Sequence, residues 1–282
     1  MSERLKKTAI GILLGLALIA AFSLSPLPGG DDWEVFYHAG RRVLSGDPLY
    51  GEPIYHGFYY YNAPWLAVLI APITILPSRL GRGMLSALTL ILTILVVRRW
   101  DEGLLKPVLA LLSPPMFYIL LHGQVDAIVL AGVMLPSLYW GLVALSKPQV
   151  AIGLIFGVGD IRGFLKMIGV TAAVLLFSLL LFGNWPLELI RQPGPVGQHN
   201  IWLGLWPYQI LVGMGIVFYG MNRKDERFFI AASPFFLPYA ATSSLLGPWI
   251  VMMTLLKNWQ ATIVLLAWWA ISVFRYFGGI PF

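Results

Sequence analysis

The feature that most constrains this chain is a succession of apolar runs of helical length separated by short polar turns, over residues 8–24, 58–76, 84–97, 104–121, 125–145, 149–158, 167–182, 208–221, 228–246, 248–256 and 261–274. In lipid such runs satisfy their backbone polar groups only within each segment, so helices are expected; the ten-residue alternating pattern of outer-membrane barrels is absent. Hydrophobic residues fill 58% of the 282 positions and charged ones 11%, against roughly 45–50% and about 25% in soluble domains. Lipid is therefore the expected solvent, and the expected fold class is an all-α polytopic transmembrane helix bundle, a single domain over residues 1–282. Runs 149–158 and 248–256 are shorter than the ~20 residues of a full crossing. Nine to eleven spans are expected.

The formal charge of +6 is scattered between apolar runs, so it marks topology and offers no stripe for nucleic acid. The basic start, with Arg4, Lys6 and Lys7, reads as cytoplasmic by the positive-inside rule. Alternation then places Arg79/Arg82, Arg162/Lys166, Arg223/Lys224/Arg227 and Lys257 inside, and puts two polar loops, 25–57 and 183–207, outside. The cluster Arg98-Arg99-Trp100-Asp101-Glu102 falls on the wrong side of this count. Run 8–24 is expected to stay as the first span; a signal peptide ending near Ala21-Phe22-Ser23 is the alternative. The chain has no cysteine, which excludes disulfides and thiolate chemistry. With no internal repeat, and with charges lying mostly in loops, a transporter or flippase is the weakest functional class.

The first outer loop opens with the breaker cluster Pro26-Leu27-Pro28-Gly29-Gly30 and continues Asp31-Asp32-Trp33-Glu34-Val35-Phe36-Tyr37-His38-Ala39-Gly40-Arg41-Arg42. Trp33, Phe36, Tyr37, Gly40 and Leu44 recur at helical spacing while Glu34, His38, Arg41 and Ser45 face the other way. This predicts a short interfacial helix with Asp31 or Asp32 as its N-terminal cap. Acids and bases held at headgroup depth also suit chemistry on a sugar whose lipid tether keeps it at the interface.

The run from Asp32 to Arg41, followed by Leu44-Ser45-Gly46-Asp47-Pro48-Leu49-Tyr50, resembles the first outer loop of glycosyltransferase family 87. Further pieces follow in order: Phe58-Tyr59-Tyr60-Tyr61-Asn62-Ala63-Pro64 continuing to Leu76-Pro77, Gly123-Gln124-Val125-Asp126 with Asp126 where Asn is usual, Lys147-Pro148-Gln149, and Asn200 with Gly204. The resemblance covers roughly positions 10–250, and the chain is shorter than most members. It implies a GT-C type fold and a polyprenyl-phosphate-mannose-dependent transferase at the outer membrane face. Its expected partners are a polyprenyl-phosphate sugar, a lipid or glycan acceptor and membrane lipids. No cofactor and no obligatory metal is expected.

By the same resemblance Asp32 is the catalytic base, with Asp31 beside it. Candidates for the donor phosphate are Arg41, Arg42, Lys147, Arg191 and His199, with attraction to anionic headgroups as the rival role for Arg41 and Arg42 and snorkelling for Lys147. Tyr37, Tyr60, Asn62, Gln198, Asn200 and Trp202 are candidates for the sugar or acceptor, and Trp185 and Trp206 for stacking on it; an interfacial aromatic belt is the rival role for the tryptophans. His38 and His56 read as loop residues without a role. Gln124 and Asp126, with His122, read as structural, because the alternation count puts them on the cytoplasmic side. A catalytically inactive GT-C-like subunit is the alternative functional reading.

Overall fold

The computed structural model describes residues 3–25, 28–193, 200–202 and 204–277. Helices account for all the regular structure among them, apart from one isolated bridge between Tyr55 and Phe58. The expected helical class therefore holds. Two helices, α4 (Ser78–Arg98) and α10 (Ile161–Phe182), are long and apolar enough to cross a membrane, and α5 (Leu105–Leu111) with α6 (Pro114–His122) makes a third when taken as one span bent by 52°. Nine to eleven continuous spans are not found among the described residues. Much of the remaining apolar sequence forms helices too short to cross alone.

The difference has a physical origin in two segments. Run 58–76 was expected to cross, yet only α3 (Pro64–Thr74) forms, about 16 Å long at 1.5 Å per residue. Pro64 opens it, and it folds back along α2 (Asp31–Ser45). Trp33 Nε1 donates to Ser78 O at 3.1 Å, Tyr37 OH donates to Leu76 O at 3.1 Å, and a Cβ on Gly40 would lie 2.5 Å from Thr74 Cγ2. The chain thus returns to the start of α2 before α4 begins. The C-terminal turn of α1 (Glu3–Leu24) meets the first turn of α4 there, where a Cβ on Gly83 would sit 2.1 Å from Ser23 Oγ.

Run 125–145 is likewise no single crossing. It comprises α7 (Asp126–Ala131), two 3-10 turns (Gly132–Met134 and Ser137–Tyr139) and α8 (Trp140–Ser146). Its two ends meet, because Lys147 Nζ lies 2.5 Å from Asp126 Oδ2.

With α3 folded back along α2, the charged residues at the two ends of α4 separate. Arg82 donates to Gly29 O at 3.3 Å and to Leu121 O at 2.6 Å, so it belongs to the same end as the Asp31–Asp32 loop, in correction of the expectation that the two lie on opposite sides. Arg99 lies at the other end of α4, where its Nε donates to Glu226 Oε1 at 2.6 Å. That opposite end also gathers the turn between α12 (Gln209–Arg223) and α13 (Arg227–Ala232), with Arg223, Lys224 and Arg227. Lys106, buried beside it, donates to Met253 O and Leu256 O and so satisfies terminal carbonyls of α14 (Leu246–Leu255) next to Lys257.

The rest of the chain runs through α9 (Pro148–Ala151), α11 (Trp185–Arg191) and α15 (Asn258–Phe277). The main core includes Trp33, Tyr60, Met116, Ile119, Leu130 and Leu154, all close to fully buried. It runs from Trp33 beside Asp32 to Val96 and Val97 beside Arg98, so the candidate site stands on one end of the helical core.

Candidate functional site

A cavity of about 660 Å³ opens beside Asp32. Helix α2 supplies Asp32, Val35 and Phe36; the segment before α3 supplies His56, Tyr59, Tyr61 and Asn62; the segments around α7 and α9 supply Gln124, Lys147 and Gln149; and the non-helical stretch 237–241 supplies Tyr239. Three stretches far apart in sequence therefore converge: Asp32-Trp33-Glu34, Gly123-Gln124-Val125-Asp126 and Lys147-Pro148-Gln149.

Glycine sets the start of α2. Gly30, at φ 104°, is its N-cap residue, so Asp31 and Asp32 are the first two helical residues, in correction of the expected acidic cap. Carboxylates in this first turn are favoured by the helix dipole. Asp31 is exposed and does not line the cavity. Asp32 points inward. Gln124 Nε2 donates to its Oδ2 at 2.6 Å, and His122 Nδ1 is 4.0 Å from the same oxygen. Its side chain is 41% accessible, but it lines the cavity, and burial still pushes its carboxyl above the usual aspartate value. Lys147, His122 and the Gln124 hydrogen bond oppose that rise, and Asp126 adds to it. Tyr239 is pushed up to about 12, mainly by burial and then by the charges of Asp32 and Asp126.

Behind Gln124 lies a buried ion pair. Lys147 is 5% exposed and Asp126 fully buried; Lys147 Nζ donates to Asp126 Oδ2 and to Gln124 Oε1, both at 2.5 Å. The expected structural role of Gln124 and Asp126 rested on their standing at the end opposite Asp32, and the structure sets Gln124 against Asp32 instead. They stand at the Asp32 end because run 58–76 does not cross.

Several expected site residues do other work. Arg42 donates to Pro48 O and Pro53 O, both at 2.9 Å, which pins the loop after α2. Arg41 is exposed on a separate surface hollow with His38 and Asp47. Arg191 pairs with Glu188 at 3.3 Å on the exposed face of α11. Tyr37 serves the Leu76 carbonyl, and Tyr60 is fully buried, donating to Ala63 O. Asn200 Nδ2 donates to Pro238 O at 2.8 Å while its Oδ1 accepts from Ala240 N, so it clasps the stretch carrying Tyr239 without lining the cavity. Trp202 donates to Pro234 O. Trp185 is buried against Tyr50 and Trp65 and donates to Ser178 Oγ. Of the sugar candidates, Asn62 lines the cavity. Gln198 and His199 lie outside the described residues.

Sequence reasoning missed Tyr239. A tyrosine inside an apolar run carries no mark that distinguishes an interfacial anchor from a cavity wall. His56, expected to have no role, is a wall residue held at φ 43°.

Gly123 seats the cluster. It has φ +70°, and a Cβ there would sit 2.4 Å from Trp33 Cβ. Gly123→Ala is expected to cost about 2–4 kcal/mol, from left-handed strain plus displacement of Trp33. Gly46, at φ +76° with nothing within 4 Å of an added Cβ, provides the control: Gly46→Ala costs only the ~1–2 kcal/mol of backbone strain. Thermal unfolding of the two variants in detergent measures the difference, and equal losses would show that the approach of Trp33 is unimportant.

No protein-family model matches the chain, and neither a curated protein nor a solved structure is significantly similar to it.

Proposed function

We propose that the chain is a membrane glycosyltransferase that moves a sugar, mannose by the family resemblance, from a polyprenyl-phosphate donor to a lipid-linked or glycan acceptor at the outer face of a cell membrane. The observation that carries this reading is the meeting of Asp32, Gln124 and Lys147 on one cavity. Their three motifs are among those on which the resemblance rests.

In the proposed reaction the acceptor hydroxyl oxygen bonds to the anomeric carbon of the donor as its proton passes to the Asp32 carboxylate. The bond from that carbon to the phosphate oxygen breaks, and its electron pair leaves with the polyprenyl phosphate. A base whose carboxyl is raised by burial is a stronger proton acceptor than a solvated aspartate. Lys147 uses two of its three N–H donors within the protein, which leaves one for a phosphate oxygen as charge develops there. Asn62, Tyr61 and Gln149 supply polar groups for sugar hydroxyls on the same wall.

Charge supports this membrane placement. Arg98, Arg99, Arg223, Lys224 and Arg227 gather at the end opposite Asp32, and that end is cytoplasmic by the positive-inside rule. The N-terminus of α1 is then cytoplasmic too, and the cavity faces out. Helix α10, with only 11% of its apolar window buried inside the protein, offers the lipid-facing surface such a protein needs.

The test uses purified full-length chain in lipid vesicles with an acceptor glycolipid. Transfer is expected from polyprenyl-phosphate mannose, to persist in EDTA, and to be absent with a nucleotide sugar alone. Sustained transfer from the nucleotide sugar without lipid carrier would overturn the proposal.

A further inference from the structure

The hydrogen bonds behind Asp32 have a direction that elementary chemistry dictates. An ammonium has only donors, so the atom of the Gln124 side chain that meets Lys147 Nζ has to be the carbonyl oxygen. The amide NH2 is then turned toward Asp32, where it meets Oδ2 at 2.6 Å. The reversed amide would set NH2 against NH3+ and a carbonyl oxygen against a carboxylate. Lys147 is itself held in place, because Asp126 accepts from it at 2.5 Å and is fully buried. From Asp126 through Lys147 and Gln124 to Asp32, every contact has one permitted sense.

We propose that Gln124 is a positioning residue: the Lys147–Asp126 pair locks the sense of its side-chain amide, and the amide holds Asp32 Oδ2 as an acceptor so that the other carboxylate oxygen is left to take the proton. As a role in catalysis this rests on the transferase reading above; as a statement about Asp32 it does not. Other groups also face Asp32. His122 of α6 lies 4.0 Å away, Tyr118 of the same helix and Tyr239 are within electrostatic reach, and Asp126 repels it from behind Lys147. On its own helix Glu34 accepts from Ser78 Oγ at 2.5 Å, and Arg82 balances Glu34 and Asp31.

The experiment titrates Asp32 directly in the full chain in lipid nanodiscs, by the 13C resonance of carboxyl-labelled aspartate, assigned by its loss in Asp32→Asn. Gln124→Met keeps the shape and removes the donor to the ionised form, so the Asp32 midpoint is expected to move up by about one unit. Gln124→Glu keeps the contact with Lys147 and puts a second carboxylate oxygen against Asp32, so the pair is expected to titrate with a larger upward shift. Asp126→Asn retains an acceptor for Lys147 and removes a negative charge, so the midpoint is expected to fall. An unmoved midpoint in Gln124→Met, or a Gln124→Glu shift no larger than that of Gln124→Met, would overturn the positioning role. The acid limb of kcat/KM for sugar transfer is expected to follow the same order. If transfer is absent while the resonance moves as stated, the transferase reading fails and the positioning of Asp32 stands; if transfer proceeds and the resonance is unmoved, the reverse holds.

Discussion

Sugar transfer falls by about 10²–10⁴-fold in Asp32→Asn, the range spanned by removal of a positioned general base, while the variant assembles and unfolds like the parent. Asparagine keeps the size of the side chain and an acceptor oxygen for Gln124, but it takes no proton at working pH. Asp31→Asn is the control. Asp31 is exposed, lies outside the cavity wall, and is expected to change the rate by less than tenfold. The same pair of variants separates an enzyme from an inactive subunit with this fold, since a structural subunit is indifferent to both. Retained transfer in Asp32→Asn, or a larger loss in Asp31→Asn, is the outcome that removes Asp32 from the chemistry.

The largest effect on stability is expected at Lys147. Lys147→Met leaves Asp126 fully buried and deprives it of the partner that the structure provides, and breaking a buried pair in this way costs about 3–5 kcal/mol. The double variant Lys147→Met/Asp126→Leu removes both charges from the interior and is expected to regain most of the loss, because desolvating two charges offsets much of what their attraction contributes. Thermal unfolding of the two variants in the same detergent makes the comparison. A single variant as stable as the parent would mean that the pair is solvated. The double variant is expected to stay inactive even when stable, since Lys147 also meets Gln124.

Much of the site was legible in residue order. The stretch from Trp33 to Ser45 shows its helical period, and α2 spans Asp31–Ser45. Asp32, Asn62 and Lys147 are candidates by residue type and motif, and all three line the cavity. Four of the candidates that did not converge share a physical cause. Arg42, Tyr37, Tyr60 and Asn200 are polar side chains, and each is taken up by a backbone carbonyl. A carbonyl outside the helical ladder is an open acceptor, and which side chain meets it depends on distances that residue order does not encode. A polar loop residue therefore looks the same whether it serves a substrate or the protein's own backbone.

The chain's apolar runs by themselves determined that it is helical, and its motifs contain Asp32, Gln124 and Lys147, which line one cavity. Tertiary structure alone decided which runs form helices long enough to cross and which fold back. A helix buried in protein and a helix buried in lipid exclude water equally, so hydropathy cannot separate α3 or the α7–α8 hairpin from a span. Only packing, with Gly40 against Thr74 and Asp126 meeting Lys147, shows that these segments turn back. That return is what carries Gln124 to Asp32.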